Sequence, residues 1–168
     1  MSDPRYPLSG IRVIESSMLG PAAITTHLAD LGAEVIKVEP PSGDYVREMT
    51  WPIIEGVSLL HLHINRGKKS ISVDMTTPEG LAIVKQLAAD ADIFVQNFRA
   101  GAIERLGISH DELRELNPKL ITVWMSGFGQ TGPMADVPVF DPVIQAVSGH
   151  CAVQLNPNVP FNDVHRTI

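Results

Sequence analysis

The 168-residue sequence predicts an α/β fold: a doubly wound, mostly parallel sheet with helices on both faces. Three observations predict it. Short apolar runs alternate with stretches of helical period, as when residues 11–15 are followed by Ile24, Leu28 and Leu31 at i, i+4 and i+7. Helix-start signals stand between those runs, at Gly20-Pro21, Thr76-Thr77-Pro78-Glu79 and Ser109-x-x-Glu112. Polar or Gly-rich segments come after the runs, where parallel sheets carry their chemistry.

Residues 11–15 are the first strand. Pro21 suits the first position of a helix, where its missing N–H costs nothing, and Gly32 suits the cap that ends it. Residues 34–39 form the second strand, stopped by Pro40-Pro41-Ser42-Gly43-Asp44. Strand, helix, strand over about thirty residues is a right-handed crossover unit. Residues 45–64 contain Trp51-Pro52 and no clean period, which predicts a long loop with one irregular helix. Residues 70–73 alternate as a short strand, and Thr76 and Glu79 stand at capping-box spacing before an inner stripe of Leu81, Val84 and Ala88. Residues 93–96 form the next strand, and residues 100–106 a short helix stopped by Gly107. Ser109 and Glu112 make a second capping box, with Leu113 and Leu116 turned inward. A strand at 120–125 and a helix at 141–147 complete the pattern. The alternation is Rossmann-like and fills one domain, residues 1–150. Residues 151–168 begin a connecting segment, with turn-rich Asn156-Pro157-Asn158-Val159-Pro160 and a closing VHRTI that reads as a strand beginning.

Composition narrows the function. An apolar share of 44% with 19% charged residues indicates a soluble globular chain. No apolar run approaches the roughly 20 residues needed to span a bilayer. The opening MSDPRYPLSG lacks the basic-then-apolar layout of a secretion signal, so a cytoplasmic location is expected. The lone Cys151 excludes an intrachain disulfide and a multi-cysteine metal site. A net charge of −6 argues against broad nucleic-acid binding, so an anionic ligand must meet local positive charge. His61-x-His63 has no identifiable third ligand, and histidines in a strand are usually structural; no metal is expected. Cys151 beside His150 lacks the separation of a thiol nucleophile and its base, and Ser16-Ser17 shows no nucleophile elbow.

Three motifs carry candidate chemistry. Asn97-Phe98-Arg99 sets an amide, an aromatic face and a guanidinium at a strand end, with Arg105 across the short helix. Arg66-Gly67-Lys68-Lys69 is the densest positive cluster, and Lys68 is the residue to aim at a phosphate. Ser126-Gly127-Phe128-Gly129-Gln130-Thr131-Gly132-Pro133 lets backbone near Gly127 and Phe128 approach a ligand closely. Its spacing is not that of a P-loop. The plain alternatives are packing for Phe98, a solvated face for Arg99 and Arg105, and ordinary turns for Lys68 and the Gly-rich loop.

With LGPAAITTHLADLGAEVIKVEPPSGD and IFVQNFRAGAIERLGISHDELRELNPKLITVWMSGFGQTGP, the chain resembles the family III coenzyme A transferases from about Ile11 to about Gly149. This is the formyl-CoA and carnitine-CoA transferase group, which also holds 2-methylacyl-CoA racemases. The resemblance implies coenzyme A as the cofactor-like substrate, with an acyl-CoA and a carboxylic acid as partners. It matches Asn97, Phe98 and Arg105 to the CoA pocket by motif, and Asn65 to Ser70 to the pattern Asn-Arg-Gly-Lys-Arg-Ser. Family members are much longer and form interlocked homodimers, so the chain is expected to be an amino-terminal fragment. The family's nucleophilic Asp falls just past Ile168, which leaves no catalytic residue in this chain; Asp163, a few residues early, is the only nearby candidate. The loop before Gly20 is shorter than the family's, and Pro40 stands where some members carry Arg. A racemase needs a His before the Asp matched by Asp141, and Phe140 cannot transfer a proton. The resemblance therefore implies CoA transfer through an aspartyl-CoA intermediate. Its alternatives are the racemase and a non-catalytic CoA- or nucleotide-binding module, or half of a split enzyme.

Overall fold

Runs rich in Val and Ile become parallel strands, because strands buried on both faces leave no polar alternation. The computed structural model describes residues 6–50 and 52–153, in two units divided between Met125 and Ser126. In the first, β1 (Arg12–Ser16) leads through α1 (Gly20–Asp30) to β2 (Glu34–Glu39). A 3₁₀ turn at Tyr45–Arg47, an antiparallel hairpin of β3 (Pro52–Ile54) and β4 (Val57–Ser58), and α2 (Leu59–Asn65) precede β5 (Lys69–Ser72). Then come α3 (Pro78–Ala89), β6 (Ile93–Gln96), α4 (Ala102–Arg105), α5 (His110–Leu116) and β7 (Ile121–Trp124). The second unit holds α6 (Asp141–Val147) and α7 (His150–Val153).

The main sheet has the order β5-β2-β1-β6-β7, and every pairing in it is parallel. Alternate side chains explain its two faces. Val13, Val35 and Val95 are buried in one cluster, against which Leu28 and Ala29 of α1 pack. Ile14, Val38 and Phe94 are buried in another, with Val84 and Ala88 of α3, Ile103 of α4 and Leu113 of α5. The expected α/β sheet is the one observed.

Local departures have local causes. Asp74 accepts both the Thr76 N–H (2.9 Å) and the Thr76 hydroxyl (2.6 Å), which closes a turn before the helix. The cap of α3 is therefore Thr77, whose Oγ1 accepts the Gly80 N–H at 3.1 Å, one residue later than the spacing predicts. The second capping box forms as expected, with both Ser109 and Glu112 bonding the other's backbone. Residues 45–64 hold more structure than a loop, because their elements are too short to show a period. His61 and His63 consequently lie on α2, not on a strand; Ser58 caps that helix, and His61 Nδ1 lies 3.1 Å from Asn65 Nδ2. No helix among the described residues is long and apolar enough to cross a membrane. The turn-rich segment 156–160, the closing VHRTI and Asp163 lie outside the described residues.

Gly80 sits where a Cβ would lie 1.9 Å from the Asp74 carbonyl oxygen, whereas a Cβ at Gly20 would meet nothing within 4 Å. Gly80→Ala should therefore lower stability in urea by about 1–3 kcal/mol, since backbone must move to admit the methyl group. Gly20→Ala should change it by less than about 1 kcal/mol.

Candidate functional site

The crossovers leaving β1 and β6 run to opposite sides of the sheet, so the loops beyond their carboxyl ends diverge and open a crevice. A cleft of about 400 Å³ occupies that place. Ser16, Ser17 and Met18 wall it after β1, and Asn97, Phe98 and Arg99 after β6. Val38, Glu39 and Pro40 close it from β2, and residues 73–76 from the turn after β5. Exposed atoms within it are mostly carbon. A larger hollow of about 800 Å³ lies at the amino ends of the strands, around Arg12, Glu34, Lys69 and Asp92. Glu34 there pairs with both Arg12 and Lys69, while Asp30, Asp90 and Asp92 leave the lining net acidic, which does not suit an anionic ligand; of the cationic cluster 66–69 only Lys69 reaches it.

The cleft gathers Asn97, Phe98 and Arg99. Phe98 is half-buried against the Ile14–Phe94 cluster, and its N–H donates to Gln96 Oε1. The Arg99 side chain is exposed and has no hydrogen bond or ion pair among the described residues. Arg105 is also exposed, on α4 and outside the cleft lining, with Nη1 3.1 Å from where a Gly101 Cβ would be. Gly127 and Phe128 belong to the second unit. There a Cβ on Gly127 would come within 2.5 Å of Val139, so packing inside that unit already requires the glycine.

Lys68 points elsewhere. Its side chain is 2% exposed, and its ammonium donates to Glu15 Oε2 (2.8 Å), the Ala22 carbonyl (2.6 Å) and Asn65 Oδ1 (3.3 Å). Three acceptors occupy its three donors, so this geometry does not offer the ammonium to an outside phosphate. Burial pushes its pKa below the ordinary lysine value, although the nearby Glu15 carboxylate pulls the other way.

That contact belongs to a buried network that residue patterns alone did not reveal. Glu15 is fully buried and accepts from Ser17 Oγ (3.0 Å), Thr25 Oγ1 (2.5 Å) and Lys37 Nζ (3.2 Å) as well as Lys68. Lys37, also buried, donates to the Ser17 carbonyl at 2.7 Å and pairs with Asp44 Oδ2 at 2.8 Å. A signal for it existed: Glu15 and Lys37 are opposite charges inside two apolar runs, and the parallel register sets them side by side. Above this network the β1–α1 loop passes through Leu19, whose φ of 56° and ψ of −133° are left-handed backbone for a residue with a Cβ. Such a conformation costs on the order of 1–3 kcal/mol. Asn97 joins the preceding residue, accepting the Met18 N–H at 3.2 Å and donating to the Met18 carbonyl at 3.1 Å.

A second carboxylate anchors the β2 side of the cleft. Burial disfavours ionised Glu39, but hydrogen bonds from Arg47, Ser70 and the Asp44 N–H outweigh it and lower its pKa to about 2. Asp44 ties the two groups together, since its N–H donates to Glu39 and its carboxylate pairs with Lys37.

Comparison with known proteins gives consistent matches. A family model described as CoA-transferase family III matches residues 8–165. The succinate–glutarate CoA-transferase of Agrobacterium fabrum is 43% identical over 94% of this chain and 42% of its own length. The acetyl-CoA:oxalate CoA-transferase of Acetobacter aceti is 42% identical over 87% of the chain and 38% of its own. The crystal structure of a CAIB/BAIF family protein from Brucella suis superposes with a TM-score of 0.87 at 37% identity, covering 92% of this chain and 42% of that one. The chain thus spans about two fifths of the length of the curated relatives it matches.

Because Glu39 ionises far below its ordinary value of 4.5, its interactions stabilise the fold fully above that value. This contribution, on the order of 3 kcal/mol, disappears as pH falls from about 4.5 towards 2. Thermal unfolding across that window should show the decline, and Glu39→Gln should be less stable at pH 7 with a flatter acid limb.

Proposed function

The chain belongs to CoA-transferase family III, and from that premise we propose that it supplies the coenzyme A-binding part of an enzyme that moves coenzyme A between carboxylic acids. The observation that carries this reading is Phe98 and an unpaired Arg99 together in a mostly apolar cleft at the β1–β6 switch point. Coenzyme A presents an adenine ring, a diphosphate, a 3′-phosphate and a long pantetheine arm. Apolar walls suit the ring and the arm, Phe98 offers a stacking face, and guanidinium groups at the rim suit phosphate. Arg105, exposed on α4, is a second candidate cation. The Gly127–Phe128 backbone is a separate candidate, of the kind that could hydrogen-bond a thioester or a carboxylate. Lys68 serves in this reading by holding α1 beneath the cleft rather than by touching phosphate.

The group transfer proceeds through an Asp expected just past Ile168, with Asp163 as the nearest alternative in the chain. Its carboxylate oxygen attacks the thioester carbonyl, the C–S bond breaks, and CoA thiolate leaves an acyl-aspartyl anhydride. The thiolate then attacks the aspartyl carbonyl, giving aspartyl-CoA and releasing the first acid as its carboxylate. The acceptor carboxylate attacks aspartyl-CoA and displaces the thiolate, which then captures the acceptor acyl group and restores the Asp. No net redox change or metal is needed. Both named relatives carry a dicarboxylic acid in their names, which supports an acid of that class as one partner. The full-length protein is proposed to be an interlocked homodimer. Against a racemase, Phe140 at the start of α6 has no titratable proton to move.

Calorimetric titration of the 168-residue chain with coenzyme A tests the reading. Saturable binding is expected, and Arg99→Gln should weaken it about tenfold through the loss of a charge-assisted phosphate contact. Pantetheine, which lacks the phosphates, should bind both chains equally. A chain that does not bind coenzyme A at all would sink the proposal.

A further inference from the structure

We propose that Asn97 is a positioning residue: its carboxamide clamps the β1–α1 loop and holds Leu19 in left-handed backbone, so that the rim of the cleft is set before a ligand arrives. β1 and β6 pair in register as far as Ser16 and Gln96. One step further, backbone pairing gives way to the Asn97 side chain, which both accepts from the Met18 N–H and donates to the Met18 carbonyl. A primary amide reproduces the donor and acceptor of a peptide group, so the strand pairing continues for one rung through a side chain. An Asp lacks the donor for the Met18 carbonyl, and an aliphatic residue lacks both groups.

The clamp grips the residue immediately before the strained one. Leu19 has positive φ although a glycine is its immediate neighbour, and a Cβ on that Gly20 would meet only open space. Left to itself, the loop would relax Leu19 into an ordinary region. Its neighbours prevent this on both sides: Lys37 fixes the Ser17 carbonyl, Asn97 fixes Met18, and Lys68 fixes the Ala22 carbonyl. The Leu19 side chain is itself seated on the Ala22–Val46–Ile64 cluster. Of these restraints, Asn97 is the one that reaches across the cleft from β6. Ser16, Ser17 and Met18 line that cleft, so a fixed loop presents a preformed wall and less ordering remains for binding to impose.

The link to binding rests on the cleft being the coenzyme A site; the clamp itself does not. The test therefore has two readouts. Urea unfolding without ligand is measured for the wild-type chain, Leu19→Gly, Asn97→Ala and the double variant. Glycine relieves strain only while the clamp enforces it. Leu19→Gly should accordingly be at least threefold less favourable to the folding equilibrium in the Asn97→Ala background than in the wild type. Stopped-flow binding of coenzyme A is the second readout. With the competent loop only partly populated, Asn97→Ala should lower the association rate about tenfold and leave dissociation nearly unchanged. If Asn97→Ala does not fold, Asn97→Asp, which keeps the acceptor for the Met18 N–H, replaces it in both measurements. Additive unfolding energies, or faster dissociation with unaltered association, would overturn the inference. Failure of the wild-type chain to bind coenzyme A would remove the functional reading, while the unfolding cycle would still decide the clamp.

Discussion

The carboxylate of Glu15 governs the architecture around the cleft. An ionised group in the interior costs several kcal/mol unless it is paired and its lone pairs are satisfied. Donors from four segments meet it: Ser17 beyond β1, Thr25 of α1, Lys37 of β2 and Lys68 before β5. Withdrawing Lys37 or Lys68 would strand a charge, and withdrawing Ser17 or Thr25 would leave a carboxylate lone pair without its donor. Two lysines face two carboxylates, Glu15 and Asp44, so the network is neutral in sum. Two of the chain's thirteen Lys and Arg residues are thereby withdrawn from the surface of a molecule that carries a net −6. The positive charge left near the cleft belongs to the guanidinium groups after β6, which is why Arg99 and Arg105 bear the electrostatic part of the functional proposal.

The strands were legible because each is a short apolar run flanked by Gly, Pro or a capping residue. β2 and β6 have the bounds that the sequence predicts, and β1, β5 and β7 differ by a single residue at their ends. The region from Tyr45 to Asn65 was not legible, because a three-residue turn, a small hairpin and a two-turn helix are each too short for periodicity to register. That Asn97, Phe98 and Arg99 gather at a cleft was legible because they stand just past the end of a parallel strand. The same reasoning could not show that Lys68 is buried. A dense cluster of cations looks exposed in one dimension, and only the fold reveals that this one lies beneath α1 while Arg66 and Lys69 stay outside. Its partner was hidden too, since Glu15 reads as the polar end of a strand until β2 lies beside it.

Asp44 joins the two halves of this organisation. In sequence it is one more turn residue after Pro40-Pro41-Ser42-Gly43. In the fold its backbone N–H serves Glu39, one carboxylate oxygen caps the 3₁₀ turn through Val46, and the other meets Lys37. The β2 wall of the cleft and the floor under the β1–α1 loop are thus parts of one polar framework. The cleft surface can remain largely apolar because that framework lies behind it.

The span between its partners also shapes how the chain assembles. Glu15 and Lys68 are separated by 53 positions, and Met18 and Asn97 by 79. Neither pair can form until the intervening crossovers have closed. Topologies with such distant pairings fold slowly. Contacts completed only after the folding barrier act on unfolding rather than on folding. The ion network beneath the cleft joins β1, α1, β2 and the residue before β5, so it must be pulled apart before β1 or β2 can leave the sheet.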